Sequence, residues 1–307
     1  MSSAEDLFRA AIDAAGLVPP DEIIGDGKLR RFSPSGKRSD DAGWYVFHTD
    51  SGVAAGAFGD WRSGESQNWC AKADADMSTA ERRAARERIK AAQQAREAET
   101  ARRRSEAAAT ALAIWEAAVP AIAHPYLAAK AVKAYGVRLR GGDLLVPMRD
   151  TAGKLHSLQT IAPDGTKRFL LGGRVRGCYH AIGRASGSLI VCEGYATGAT
   201  IHEATKDAVA VAFNAGNLEP VARALRAKYP CLGIVVAADD DWRTEGNPGL
   251  TAARSAARTV GGTAAVPNFT GLQRGDHDTD FNDLARLADA LEPNFQLSAG
   301  SAAGFGR

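Results

Sequence analysis

The sequence predicts an α/β protein: a parallel sheet with flanking helices over residues 186–292, preceded by a mixed α/β subdomain over 119–185, a long charged helix over 78–118 and a small β-rich region over 1–72. Three observations predict it. Four short apolar runs alternate with helical stretches between Ser188 and Ala290, the pattern of strands covered on both faces. Ser78–Ala118 contains no glycine or proline and is rich in strong helix formers. Before Lys72 the chain breaks into short, aromatic, glycine-punctuated runs.

In chain order, "SAEDLFRAAIDAAGL" opens with Ser3 as a helix cap and Asp6 as its capping-box partner. The runs from Lys28 to Cys70 carry turn signals at Pro34-Ser35-Gly36, Asp50-Ser51-Gly52 and Ser63-Gly64, which predict a small antiparallel sheet. Trp44, Trp61 and Trp69 fall there beside Phe32, Tyr45, Phe47 and Phe58, with Arg30, Arg31, Lys37, Arg38 and Arg62 interleaved. Two readings stand open: a stacking groove for single strands, or the core of a tiny sheet that needs large side chains. In the long helix, Glu81–Glu106 holds nine basic and five acidic residues, an excess of 9 − 5 = +4. That charge suits either phosphate tracking or a solvated spacer laced with ion pairs.

Next come a helical piece, "HPYLAAKAVKAYG", and strands divided by turns at Thr151-Ala152-Gly153 and Pro163-Asp164-Gly165. The strands "SLIVCE", "AVAVAF", "LGIVVAADDD" and "TAAVPNF" then alternate with the helices "TGATIHEAT", "EPVARALRAKY" and "GLTAARSAARTVG". Residues 293–307 read as a disordered tail.

Composition bounds the function. With 307 residues there is room for two domains of ordinary size. No run approaches a membrane span and the N-terminus lacks the order of a signal peptide, which predicts a cytoplasmic protein with no membrane partner. The four cysteines are far apart, so neither a zinc ribbon nor a disulfide framework is expected. A net charge of +2 names no partner by itself.

In an open parallel sheet, ligands gather at the carboxyl ends of the strands. Glu193 ends the first strand, and Asp239, Asp240 and Asp241 end the third. Extended backbone places Asp239 and Asp241 on one side and Asp240 on the other. Gly194 and Gly198 let the chain turn closely into the next helix. Converging carboxylates suit a hard divalent cation such as Mg²⁺. "GDHDTDFNDL" is expected to bring Asp276, Asp278, Asp280 and Asp283 to the same rim, although Asp280, Asn282 and Asp283 also read as helix caps before "LARLADAL".

The order apolar strand, Glu-Gly, helix, then a strand ending in Asp-x-Asp resembles the Toprim domain of DnaG-type primases, topoisomerases and some nucleases. "EGYATGATIHEAT", "ADDDWRTEGNPGL" and "DFNDL" look closest to the TraC-like Toprim primases of phages and conjugative plasmids. "LLVPMRDTAGKLHSLQTIAPDGTKRFLLGGRVRGCYHAIG" is similar to the subdomain preceding Toprim in those enzymes, and "GWYVFHTDSGVAAGAFGDWRSG" to their β-rich N-terminal part. The resemblance implies a DNA primase making short RNA primers on single-stranded DNA from nucleoside triphosphates with Mg²⁺ or Mn²⁺. It implies that Glu193, Asp239 and Asp241 are catalytic and hold metal, with Asp280 and Asp283 as outer ligands. Lys167, Arg168, Arg174 and Arg176 would face triphosphate or template phosphates from across the acidic rim. It leaves room for a separate replicative helicase as partner.

The sequence departs from the DnaG pattern in lacking the zinc ribbon and in placing Leu171 where those primases have asparagine. No GxxxxGK[ST] loop is present, so no fused ATP-driven helicase is expected. A Toprim metal-dependent nuclease and a non-catalytic single-strand-binding replication accessory are the alternative readings.

Overall fold

In the computed structural model, residues 3–37, 40–49, 53–61, 63, 65–72 and 78–291 are described. The turn at Asp50–Gly52, Gly64, Arg38, Arg62 and the tail from Pro293 lie outside them. The chain forms two compact units, up to Arg102 and from Arg103 onward.

The first unit begins with helix α1 (Ala4–Ala14), whose Ser3 hydroxyl and Asp6 carboxylate make the reciprocal capping box. Strands β1 (Arg30–Phe32), β2 (Gly43–His48), β3 (Ala55–Asp60) and β4 (Ser66–Cys70) form an antiparallel sheet in that order. Phe8 of α1 stacks on Phe47 at a centroid distance of 4.4 Å, and Ile12, Phe32, Tyr45 and Phe58 complete that side. Trp44 and Val46 point to the opposite face and pack with Ala57 and Ala92. The aromatic residues of β2 and β3 are therefore core, because alternation sends side chains to both faces and both are covered. The basic residues Arg31 and Arg96 lie over Trp61 and Trp44 respectively.

Helix α2 runs unbroken from Thr79 to Ala117, and the boundary between the units falls within it. Arg83–Glu87 and Glu99–Arg102 pairs line its surface.

The second unit contains two five-stranded sheets. Strands β5 (Val119–Pro120), β6 (Arg138–Arg140), β7 (Asp143–Arg149), β8 (Leu155–Ile161) and β9 (Lys167–Phe169) make an antiparallel meander. Helix α3 is shorter than the sequence predicts, ending at Ala129. Lys130 closes it, Ala131 takes a left-handed φ of 52°, and the chain then crosses to β6 through a bend at Tyr135 and Gly136. Buried Tyr195 fixes that crossing: its hydroxyl accepts from Tyr135 N–H and donates to Lys133 O.

The other sheet has the order β10 (His180–Ile182), β12 (Ala208–Val211), β11 (Ser188–Cys192), β13 (Gly233–Ala237), β14 (Thr263–Ala265). Four strands are parallel, while β10 pairs antiparallel with β12. Ile190, Cys192, Val209 and Val211 pack beneath helix α4 (Tyr195–Thr205). Leu189, Val191, Ile234 and Val236 pack under α5 (Ala215–Lys228) and α6 (Pro248–Thr259). Helix α7 (Phe281–Leu291) lies beside α4.

The expected division near residue 185 is not a break in packing. Strand β10 joins the parallel sheet, and Tyr126, Leu144, Val146 and Ile161 share one core with Tyr195, Ala196 and Ala199. The meander and the parallel sheet thus form one frame.

Candidate active site

The chain leaves β11 toward β12 on one side and reaches β13 on the other, so the carboxyl ends of β11 and β13 form a topological switch point. Glu193 follows β11 directly and Asp239 lies two residues beyond β13. Close helix packing supports the first loop: a Cβ on Gly198 would stand 2.8 Å from Val211, so α4 rests on β12 only with glycine there. The second loop is fixed by Gly249, where a Cβ would meet Asp239 O at 2.6 Å. That glycine lets the α6 N-terminus close on the acids, and its N–H donates to Asp241 Oδ2 at 2.9 Å.

The charges of Glu193, Asp280 and Asp241 bear on Asp239, and that of Asp241 bears on Glu193. Burial, then Asp241, push Glu193 up to about 7, against a lowering contact from Ala215 N–H at the start of α5. Burial, then Glu193, Asp280 and Asp241, push Asp239 up to about 8, with Lys167 opposing. Glu193 Oε1 and Asp239 Oδ1 are buried without a hydrogen-bond partner.

Asp240 points elsewhere. Its carboxylate accepts from Arg274 Nη1 at 2.8 Å and Asn247 Nδ2 at 2.6 Å, and its carbonyl accepts from Arg274 Nη2 at 2.8 Å. The middle aspartate clamps the loop while its neighbours face the rim.

The later acids divide. Asp280 and Asp283 form a capping box on α7: Asp283 N–H donates to Asp280 Oδ1 at 2.9 Å, and Asp280 N–H to Asp283 Oδ2 at 3.4 Å. Asp280 Oδ2 accepts from Thr197 at 2.7 Å and adds its charge to Asp239. Asp283 instead meets Lys130 at 3.7 Å and Arg286 at 3.9 Å. Asp276 is exposed and pairs with Arg243, and Asp278 pairs with Arg286, so these two do not join the rim as expected. The local reason is that arginines on neighbouring loops and on α7 capture them.

The basic residues also divide. Lys167, an exposed residue of β9, reaches the rim: partial desolvation of its ammonium, then Lys130, lower its pKa, while Asp280 and Asp239 raise it. Arg168, beside it on β9, is exposed. Lys130 carries no distinctive motif and is missed by sequence reasoning; Asn282 Nδ2 fixes it by donating to its carbonyl and to Thr200 Oγ1.

Arg174 and Arg176 line a separate pocket of about 430 Å³ with Arg104 of α2 and Arg223 of α5. The acids of the rim are absent from its walls, contrary to the expected placement opposite them. The carboxylate of Asp150 in that pocket is held by His156 and by the N–H groups of Ala152 and Lys154. Asn217 ties the turn to the sheet, donating to Cys178 O and Ala212 O and accepting from Gly177 N–H.

Among the described residues no three His, Cys, Asp or Glu side chains close into a ready-made metal cage. The partnerless oxygens of Glu193 and Asp239 are instead a buried donor set of hard oxygens at the carboxyl ends of the strands. They fit a divalent cation that takes one or two carboxylates and keeps waters for phosphates to replace.

Residues 188–290, which carry these features, match the Toprim domain family. Over 96% of its length the chain is 36% identical to DNA primase TraC from Escherichia coli, of which it spans 30%. A second Escherichia coli DNA primase TraC is 35% identical over 96% of this chain, which spans 22% of it. The primase fragment of the bacteriophage T7 primase-helicase protein aligns with 56% of this chain and 72% of its own, at 16% identity and a TM-score of 0.38. Among the described residues, no helix is long and apolar enough to cross a membrane.

Proposed function

We propose that this chain is a DNA primase, joining ribonucleotides into short primers on single-stranded DNA. The observation that carries the proposal is the pair of partnerless, buried carboxylates at the switch point, Glu193 and Asp239, faced by the ammonium of Lys167. Glu193, Asp239 and Asp241 would hold Mg²⁺ or Mn²⁺, with Asp280 as an outer contact; when bound, such ions activate an attacking 3′-hydroxyl and stabilise leaving pyrophosphate. Asp283, committed to the α7 cap and Lys130, orients that helix.

The residues of this chain divide the remaining work. Lys167, with Arg168 and Lys130, receives the triphosphate of the incoming nucleotide as fixed positive charge opposite the acids. Asp240, Arg274 and Asn247 hold the loop so that Asp239 and Asp241 keep their aim. Arg174 and Arg176, with Arg104 and Arg223, receive strand phosphates, and guanidiniums suit that recognition. Single-stranded DNA and ribonucleoside triphosphates are thus the ligands of this reading. It leaves a separate helicase as a partner and the cytoplasm as the compartment.

The test is incubation with mixed single-stranded templates, Mg²⁺ or Mn²⁺ and labelled ribonucleoside triphosphates, with products resolved beside Asp239→Ala and Glu193→Gln. Short labelled oligoribonucleotides that vanish in both variants are expected. Degraded template in place of products would mean the same acids serve a nuclease.

A further inference from the structure

Directly after the acids stands Trp242, 41% exposed on the loop that carries Asp239 and Asp241. An indole so placed presents a broad, rigid aromatic surface to solvent directly beside the acids. Its surroundings are ordered. The Arg274 guanidinium carbon lies 4.2 Å from the Phe269 ring centroid and 5.0 Å from that of Trp242, and that of Arg243 lies 4.1 Å from Trp242.

Arg274 cannot drift. It donates to Asp240 Oδ2, Asp240 O and Asp278 O, all at 2.8 Å, and is largely buried. Arg243 is different: 60% of its side chain is exposed, and its partner Asp276 is 67% exposed. An ion pair so placed contributes little and is easily exchanged.

We infer that Trp242 is a stacking platform for an unpaired nucleobase of the strand at the acidic rim. This deepens the proposed function and rests on reading the rim as a nucleic-acid site. The base takes the place of the Arg243 guanidinium over the indole, and Arg243 turns to a backbone phosphate of the same strand. Every base has a π-face, so the contact is tolerant of sequence. Arg274, itself seated over Phe269, lies over the indole, and Asp240 links that support to the loop of Asp239 and Asp241. The base is thereby registered against the carboxylates within one short loop.

The test compares binding of a fluorescein-labelled single-stranded oligodeoxynucleotide with that of an abasic oligomer of equal length, across a salt series, for the wild type, Trp242→Ala and Trp242→Phe. The wild type should prefer the base-bearing strand. Trp242→Ala should lose about 5- to 140-fold in affinity for it, the range of one stacked base, and bind the abasic oligomer unchanged. The dependence on salt should be unaltered, since stacking releases no counterions. Trp242→Phe should keep most of the preference. Melting temperatures verify folding.

Wild-type affinity for both oligomers in Trp242→Ala overturns the platform, as do an equal loss on both and an absence of binding by the wild type. Primer synthesis by Asp239→Ala, measured separately, decides the proposed function. If that variant stays active, the rim assignment falls while the oligomer comparison still judges Trp242.

Discussion

The acidic rim and the arginine pocket stand on the same compact unit, and both concentrate charge of one sign. They do so in opposite ways. At the rim, Glu193 and Asp239 are withdrawn from water, their pKa values are raised by burial and then by neighbouring acids, and they leave two oxygens without a partner. In the pocket, Arg104, Arg174, Arg176 and Arg223 stand around an open space of about 430 Å³; the carboxylate in its wall, Asp150, is held by its own turn, and Arg223 pairs with Glu219 on the surface of α5. Like charge near water is inexpensive and supplies a long-range field. Like charge away from water is costly, and persists where a bound counter-charge relieves it. The first arrangement suits gathering a polyanion; the second suits chemistry at one point.

The largest expected effect tests the rim. Asp239→Ala and Glu193→Gln should lower primer synthesis by about 10³-fold or more, several kcal/mol of lost charge stabilisation. Binding of single strands should survive both changes. If synthesis persists in either folded variant, the rim does not differ from the pocket in kind.

The second effect is pH. A divalent cation must displace the protons held by Glu193 and Asp239, which titrate near 7 and 8. Metal-dependent activity should therefore fall up to about tenfold per pH unit per displaced proton below pH 7, and level off above pH 8. A flat profile from acid to alkaline conditions would remove this distinction.

The third effect belongs to the pocket. Arg174→Gln with Arg176→Gln should weaken strand binding about 3- to 30-fold at moderate salt, and make the logarithmic salt dependence shallower by roughly 1 to 2. An unchanged slope in a salt titration would show that these guanidiniums do not meet phosphates.

The smallest effect has an unusual sign. Glu193 and Asp239 ordinarily titrate at 4.5 and 3.8, so the folded, cation-free protein holds their protons more tightly than the unfolded chain does. Their contribution to stability is greatest below about pH 4 and declines as pH rises through the folded values. Asp239→Asn should stabilise the cation-free protein by roughly 1–3 kcal/mol at pH 8, a rise of a few degrees in Tm, and the gain should vanish toward pH 4. Melts in chelator at both pH values check it. A variant melting below the wild type at pH 8 would contradict the stored repulsion.

Much of this was legible in the sequence because it was local. Apolar runs separated by helical stretches specified the parallel sheet, the glycine-free segment specified α2, and period-2 alternation within "VAADDD" separated Asp240 from Asp239 and Asp241. What escaped depended on tertiary meeting. Nothing in "HPYLAAKAV" announces that α3 ends at Ala129 so that Lys130 can face the acids. Arg104 and Arg223 join Arg174 and Arg176 only because α2 and α5 meet at the 174–177 turn. Asp276 and Asp278 are diverted by Arg243 and Arg286, whose approach no spacing rule foretells. Trp242 was visible beside the triple aspartate, but only its exposure and its guanidinium neighbours distinguish it from a core residue.

Asp280 holds two posts at once, cap of α7 and charged neighbour of Asp239. A library of single substitutions scored separately for abundance and for catalysis would therefore scatter these acids across different quadrants. Changes at Asp239 would gain abundance while abolishing turnover, whereas changes at Asp280 would lose both. An aspartate can thus be sorted by the sign of its trade-off, without any ligand in hand.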